Sequence, residues 1–199
     1  MTAARRPGRR PGVSETRTEI LAAARRMFAE KGFDGASIRG IAREAQVDPA
    51  LVHHYFDSKE SIFVEAMKLP LDPAVVIPFV AGGPREQAAE RLVRTILSIT
   101  ATEEAREPML ALIRSAITNE QALAMVRPFL VQAVLARLAE ALQIPLLRME
   151  LAFAQLFGAL AARYVLRLEP LASADLDELA EQLIPAVAHH LRPEPPAAP

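Results

Sequence analysis

Residues 48–60, with the sequence DPALVHHYFDSKE, hold the side chains that most invite a chemical role. A histidine pair such as His53 and His54 could suggest a metal site, but adjacent residues on a helix point in different directions. A zinc-binding pair on a helix instead prefers a spacing of four residues. No nucleophile is placed beside a general base in this stretch. The residue types therefore argue against a metal site, a cofactor site and an enzyme, so their role depends on the elements that position them.

The composition excludes several kinds of site. The chain has 199 residues and no cysteine, which excludes disulfides, thiolate metal ligands and cysteine nucleophiles. The N-terminal arginines are not followed by an apolar run, which argues against a secretory signal. The most apolar later stretch, residues 151–166, is interrupted by Gln155 and Arg163 and is too short for a membrane span. We expect a cytoplasmic protein without a membrane partner.

The charge is distributed unevenly along the chain. Residues 1–60 hold 11 Lys/Arg against 8 Asp/Glu, whereas the remainder holds 12 against 16, so a net charge of −1 hides a basic first part. Within residues 1–13, four arginines stand without an acidic neighbour. A basic arm on an otherwise acidic protein favours a polyanionic partner. A solvated, disordered tail is the alternative.

The hydrophobic pattern is helical throughout, and alternation typical of strands does not persist anywhere. Four helices are predicted in the first part, at about 14–31, 37–45, 49–55 and 57–68. Ser14, Ser37, Asp48 and Asp57 are their expected N-caps. Gly32 is expected to end the first helix.

Prolines and glycines then interrupt the pattern and predict a linker at 69–84. Longer helices are expected at about 85–101, 107–118, 120–143, 146–168 and 174–191, with kinks at Pro128 and Pro185. The predicted fold is therefore all-α, with about nine helices. Its segments are a disordered basic arm (1–13), a small head (14–68), the linker, a larger helical body (85–192) and a disordered tail (193–199).

The second and third predicted helices are short and are joined by residues 46–48, which is the arrangement of a helix-turn-helix unit. The second helix of such a unit lies in the major groove of DNA. The side chains left outside the head's core on helix 49–55 are small, apolar or able to form short hydrogen bonds. Such side chains suit base edges, thymine methyl groups and phosphates.

Residues 16–63 resemble the DNA-binding domain of the TetR/AcrR family of bacterial transcriptional regulators. The matching positions are Ile20 to Ala23, Phe28, Gly32-Phe33, Ser37-Ile38, Ile41-Ala42, Ala45, Val47, Phe56 and Lys59-Glu60. The resemblance implies a homodimer on a palindromic operator in double-stranded DNA. It also implies a helical body that binds a small-molecule effector and holds the two copies together.

The resemblance assigns DNA contacts residue by residue. The candidates are Arg9 and Arg10 in the arm, then Ser37, Arg39, Asp48, Pro49, Ala50, Leu51, His53, His54, Tyr55 and Lys59. The chain departs from the family at position 46, where glycine is usual and Gln46 stands here. A glutamine in the same left-handed conformation should cost about 1 kcal/mol.

Two further sets of candidates lie in the body. The apolar ligand cavity that the resemblance implies would be lined by Met109, Ile113, Met125, Phe129, Phe153, Phe157 and Tyr164, with Arg114 available for a polar group. Packing within the core is the alternative for these residues. The dimer interface would use Leu156, Leu160, Leu176, Leu179, Leu183 and Val187, for which packing within one chain is the alternative.

The function expected from these observations is sequence-specific regulation of transcription, as a repressor, under the control of a small apolar or amphipathic ligand. An enzyme acting on that ligand lacks any supporting motif. A helical adaptor that uses the basic arm on an acidic partner is the remaining alternative. Dependence of binding on duplex sequence separates the regulator from the adaptor.

Overall fold

The computed structural model describes residues 13–69 and 72–192. These residues form helices and connecting turns, with no strand among them. The helices are α1 (Val13–Gly35), α2 (Ile38–Glu44), α3 (Pro49–Tyr55), α4 (Lys59–Ala66), α5 (Pro73–Ala81), α6 (Ala88–Thr100), α7 (Glu103–Thr118), α8 (Glu120–Pro128), α9 (Ala136–Ala141), α10 (Leu146–Leu160) and α11 (Leu176–Leu191). The all-α class is thus confirmed. The predicted arm, apart from residue 13, and the predicted tail at 193–199 lie outside the described residues.

Capping residues fix the short helices of the head. Ser37 accepts a hydrogen bond from the backbone N–H of Gly40, and Asp48 accepts one from Ala50, so both predicted N-caps are confirmed. The prediction of Asp57 as the cap of α4 is wrong. Ser58 takes this position and forms a reciprocal capping box with Ser61. A hydroxyl one residue further along therefore starts α4 at Lys59.

Gly32 interrupts α1 where its stop was predicted. Its φ of 69° and ψ of 178° lie outside the helical region, although the helix assignment continues to Gly35. This conformation carries little cost for glycine, which has no Cβ. The chain can therefore turn before Phe33, whose ring enters the core of the head.

The prediction of a linker at 69–84 is wrong for most of its length. Residues 73–81 form α5, whose start is capped by Asp72 and has Pro73 in its first turn. Proline is harmless at that position because its missing N–H would have no partner. Pro78 removes one helical donor, yet Val76 and Val80 are buried in the core of the body and hold the helix in place.

The break or kink expected at Pro128 takes a different form. Helix α8 continues through Pro128 into a π-helical segment, Phe129–Leu135, which leads into α9. Within it the N–H of Ala136 donates to Val131, five residues back. Segments of π-helix often occur at functional sites. Helix α11 runs through Pro185 as one helix.

Two hydrophobic cores meet at Phe129. The core of the head is formed by α1 to α4, and its largest fully buried side chains include Phe28, Phe63 and Ile20. The core of the body is formed mainly by α5, α6, α9, α10 and α11. Phe129 and Ala133, from the π segment, belong to the core of the head although they follow α8 in sequence. The head and the body are therefore packed together.

Gln46 has the left-handed backbone predicted for it, with φ of 56°. We expect Gln46→Gly to raise the free energy of unfolding by about 0.5–1 kcal/mol, because glycine removes the Cβ penalty but gains freedom in the unfolded chain. Chemical denaturation measures this change. The matched control is Gln182→Gly on the exposed surface of α11, where the same substitution should destabilise by about 1 kcal/mol. Equal effects at both positions would contradict the strain argument.

Candidate nucleic-acid interface and internal cavity

The recognition helix of the predicted helix-turn-helix unit is α3, and its buried side holds it against the head. Val52 is fully buried, and Phe56, which follows the helix, is almost fully buried. Residues 49, 50, 53 and 54 lie on the opposite side and are exposed. The carboxylate of Asp48 accepts from the backbone N–H of Ala50 at 2.7 Å and fixes the start of the helix. This leaves a small, protruding face of α3 free to enter a groove.

The predicted DNA contacts divide by exposure. Ser37, Arg39, Asp48, Pro49, Ala50, His53 and His54 are exposed, while Leu51 and Tyr55 are half-buried. Most of them lie on α3 and at the start of α2. Arg9 and Arg10 lie outside the described residues. The assignment of each side chain to DNA stays a prediction.

Lys59 is placed differently from a simple phosphate-binding lysine. Its ammonium donates to the carbonyl of Phe33 at 2.9 Å and to that of Ala36 at 3.3 Å, and it lies 4.3 Å from the centroid of the Phe33 ring. These contacts join the start of α4 to the junction between α1 and α2. At most one of its three donors remains for a phosphate.

Arg43 is a second exposed arginine on α2, and the sequence analysis did not include it among the DNA contacts. It is exposed and lies four residues after Arg39, which places both on the same side of the helix. That spacing is the signal that could have identified it. Nearby, Glu44 is paired with Arg26 at 2.9 Å, so this carboxylate is compensated within the head.

The body contains a partly open cavity of about 410 Å³. Its wall is formed by Leu69, Pro73, Val76, Ile77, Leu92, Ile96, Met109, Ile113, Leu123, Val126, Arg127, Phe129, Leu130, Val134, Leu135, Leu138, Met149, Phe153, Leu156, Phe157 and Leu160. The volume is within the usual range of about 300–1,000 Å³ for small-molecule sites, and the predominantly apolar wall is typical of them. The cavity can therefore accept a small molecule with a largely apolar surface.

Five of the eight predicted ligand-binding residues lie in this wall: Met109, Ile113, Phe129, Phe153 and Phe157. The other three do not. Met125 packs against the core of the head. Tyr164 donates its hydroxyl to Thr100 Oγ1 at 3.1 Å, and Arg114 is exposed outside the wall.

The sequence analysis did not predict the side of the cavity that is formed by α5 and by Leu69. Leu69, Pro73, Val76 and Ile77 belong to the segment predicted as a linker. No sequence signal marked them as wall residues once the prolines were interpreted as helix breakers. Arg127 was also missed, although it stands on an otherwise apolar stripe of α8.

An aromatic cluster connects the cavity with the head. We use this name for Phe28, Phe33, Phe63 and Phe129. The ring of Phe129 lies 4.5 Å from that of Phe63 and 5.4 Å from that of Phe33, measured between centroids. Phe63 in turn meets Phe28 edge-to-face at 4.9 Å. Since Phe129 also lines the cavity, one side chain contacts both the ligand space and the core beneath the recognition helix.

The predicted dimer-interface residues are packed inside the chain. Leu156, Leu160, Leu179 and Val187 are buried in the core of the body, and Leu176 and Leu183 are half-buried. The prediction is wrong for the buried four because the sides of α10 and α11 that carry them face the chain's own core. The other side of α10 exposes Leu147 (65%) and Leu151 (44%).

A metal site and a membrane-spanning helix would be the rivals of these two sites. Within residues 13–69 and 72–192, no three His, Cys, Asp or Glu side chains come together as a metal site. By length and composition alone, one helical run in these residues, 120–141, could cross a membrane. In this fold, Leu123 and Val126 of that run line the cavity, and Phe129 and Ala133 belong to the core of the head.

The fold and this surface define an all-α helix-turn-helix protein with a separate cavity-bearing body. Two family models match the chain: bacterial regulatory proteins of the tetR family over residues 20–66, and the tetracyclin repressor-like C-terminal domain over residues 86–191. The chain therefore belongs to the TetR family of bacterial regulatory proteins. It is a DNA-binding transcriptional regulator by class.

Individual relatives match this chain over short segments. The chain is 45% identical over 47 residues to the transcriptional regulator UidR of Escherichia coli, which covers 24% of each protein. It is 41% identical over 61 residues to the transcriptional repressor KstR2 of Rhodococcus jostii, covering 31% of this chain and 30% of KstR2. The matched segments thus span about a quarter to a third of these relatives.

Solved structures cover nearly the whole chain. A TetR-family regulator of Streptomyces coelicolor is 38% identical, with 93% of this chain and 99% of that chain covered and a TM-score of 0.46. NalD, the secondary repressor of a multidrug efflux pump in Pseudomonas aeruginosa, is 22% identical, with 90% and 98% covered and a TM-score of 0.50. The likeness to NalD concerns the fold alone.

Proposed function

We propose that this chain is a homodimeric, ligand-responsive transcriptional repressor that acts in the cytoplasm on a palindromic operator. Phe129 carries the proposal, because it lines the cavity and also packs within the core of the head. The DNA-binding unit is residues 14–68, with the arm at 1–13 along the backbone or in the minor groove. Residues 85–192 and α5 form the unit for effector binding and dimerisation. Catalysis has no part in the proposal.

The head supplies recognition of DNA. Residues 49, 50, 53 and 54 present the exposed side of α3 to base edges and phosphates. Arg39 and Arg43, on the exposed side of α2, are suited to the neighbouring backbone. In a two-fold dimer, the two recognition helices would enter successive major grooves about 34–36 Å apart. That distance is the quantity that a ligand has to change.

The cavity supplies the response. Leu69, three residues after the end of α4, lines the cavity, and the ring of Phe63 in α4 contacts that of Phe129 in the cavity wall at a tilt of 32°. A molecule in the cavity can therefore influence α4 in two ways. It would contact Leu69, which follows the end of this helix, and Phe129, which packs against Phe63 in the aromatic cluster. We expect an occupied cavity to favour a different position of α4 and a different spacing of the heads. Operator affinity falls because the ligand binds the two states unequally.

The dimer would use the exposed side of α10. Leu147 and Leu151 are exposed one turn apart, and further along this helix Gly158 has open space where a side chain would stand. Small residues on a helix surface let a second helix approach closely. The symmetry of a palindromic operator requires the same surface on both copies.

Occupancy of the cavity is expected to weaken operator binding. N-phenylnaphthylamine, a neutral apolar dye, serves as the fluorescent probe of the cavity, and compounds that displace it are then tested on the protein–operator complex. The compounds that enter the cavity should lower operator affinity about 5- to 150-fold, the usual range of coupling between two sites. A reporter gene behind the operator should be silent with the protein and active when such a compound is added.

Ile113→Trp is the matched control for this experiment. Ile113 lines the cavity but is not part of either core, so an indole there fills the ligand space without replacing a core side chain. Dye binding should be lost while the purified variant remains folded. Unchanged operator affinity with several compounds bound in the wild-type cavity would contradict the coupling. Failure of the dye to bind at all would contradict the cavity as a ligand site.

A further inference from the structure

Arg127 interrupts the apolar wall of the cavity. Leu123, Arg127, Leu130 and Val134 follow one another at spacings of four, three and four residues, so they form one stripe along the helical run. All four line the cavity. Among the described residues that form its wall, Arg127 is the single one with a polar or charged side chain.

The guanidinium of Arg127 has no compensating partner within the described residues. It takes part in none of the ion pairs, which join Arg17 to Glu65, Arg26 to Glu44, and Arg94 to Glu90 and Asp177. One helical turn away on either side stand Leu123, Ala124, Leu130 and Val131, none of which carries a carboxylate. The cavity wall also contains no acidic side chain.

An uncompensated cation beside an apolar space favours ligands of a particular kind. Arginine presents a planar set of donors that matches a carboxylate, and such charge-assisted hydrogen bonds are stronger than neutral ones. Arg127 is exposed, so its charge is solvated in the absence of a ligand and imposes no large cost on the fold. The surrounding leucines and valine would bury the apolar part of the same ligand.

We propose that the effector is an amphipathic carboxylate, with an apolar chain or ring system in the cavity and its carboxylate on Arg127. This inference rests on the proposed function and names the ligand class for its cavity. A neutral ligand would form no ion pair with Arg127, whose guanidinium would then only contact water at the rim of the cavity. A cationic ligand would be repelled by it.

The test compares decanoate with decanol, which share a chain and differ in the charged group. Each compound displaces N-phenylnaphthylamine from wild-type protein and from Arg127→Gln, Arg127→Lys and Arg137→Gln. Arg137 lies on α9, is exposed and does not line the cavity, so it is the matched control. Binding of the dye itself reports whether each variant keeps the cavity.

Arg127→Gln should weaken decanoate about tenfold or more while changing decanol less than about twofold, because only the carboxylate loses charge-assisted hydrogen bonds. Arg127→Lys should give an intermediate loss, since the charge remains but the bidentate geometry does not. Arg137→Gln should change neither compound.

Two failures are distinguishable. If the dye and decanol bind but Arg127→Gln weakens decanoate no more than decanol, the carboxylate assignment is overturned and the cavity stands. If wild-type protein binds neither the dye nor decanol, the proposed ligand response falls together with this inference.

Discussion

Ala50→Glu is expected to abolish most operator binding without unfolding the head. Ala50 is exposed in the first turn of α3, on the side proposed to enter the major groove. In the proposed dimer, a carboxylate there would meet base edges and phosphates in both heads. Loss of contacts worth about 1–3 kcal/mol per head gives about 2–6 kcal/mol in total, or at least about thirtyfold in affinity. Fluorescence anisotropy with a labelled operator measures this loss.

The stability of α3 should not decrease in the Ala50→Glu variant, because a glutamate in the first turn interacts favourably with the helix dipole.

The chain provides a matched control in Ala74. Residues 48–50 and 72–74 share the sequence Asp-Pro-Ala, and Asp72 accepts from the N–H of Ala74 at 2.9 Å just as Asp48 does from Ala50 at 2.7 Å. Ala74→Glu should bind the operator normally. Normal binding by Ala50→Glu would remove α3 from the interface.

The double variant Leu147→Arg, Leu151→Arg is expected to be monomeric. Both leucines are exposed on α10, and four arginines would face one another across a two-fold interface. A monomer binds one half-site at a time. It therefore loses the increase in affinity that arises when two linked heads bind the two half-sites together. Operator affinity should therefore fall by about 10²–10⁴. Light scattering gives the mass, and anisotropy gives the affinity.

Two exposed apolar side chains on a different helix provide the control for this variant. Val75 and Phe79 are 67% and 56% exposed on α5, and they also lie one turn apart. The variant Val75→Arg, Phe79→Arg should remain dimeric. If this variant is the monomer and the α10 variant is not, the dimer surface lies on α5. Circular dichroism checks that both proteins keep their helices.

The sequence predicted the head well because its signals are local. Ser37 and Asp48 each accept a hydrogen bond from a nearby N–H of the helix they start, so the residue type and its position suffice to identify the cap. The error at α4 arose because Asp57 and Ser58 are adjacent and both can cap. The left-handed backbone at Gln46 followed from the family resemblance and is present.

The body was harder to predict because its signals depend on packing. Pro73 and Pro78 were interpreted as breakers, yet burial of Val76 and Val80 stabilises a helix through them. On α10, both sides are apolar, and periodicity cannot tell which side faces the chain's own core. Only the arrangement of all the helices shows that Leu156 lines a cavity while Leu151 is exposed.

The connection between the two units could not be predicted from sequence at all. Phe129, the first residue of the π segment, is far from Phe63 along the chain, yet their ring centroids lie 4.5 Å apart. The cavity residues on α5 and after α4 depend on the same arrangement. Local propensity contains no information about such contacts.

The central claim is that the dimer recognises a particular DNA sequence. Purified protein is used to select duplexes from a randomised pool, and anisotropy then compares the selected duplex with a scrambled one across a salt series. We expect one dimer per palindromic site and binding about a thousandfold or more tighter than to the scrambled duplex at physiological salt. Equal, steeply salt-dependent binding to both duplexes would contradict it, because such binding reflects only charge on the phosphates.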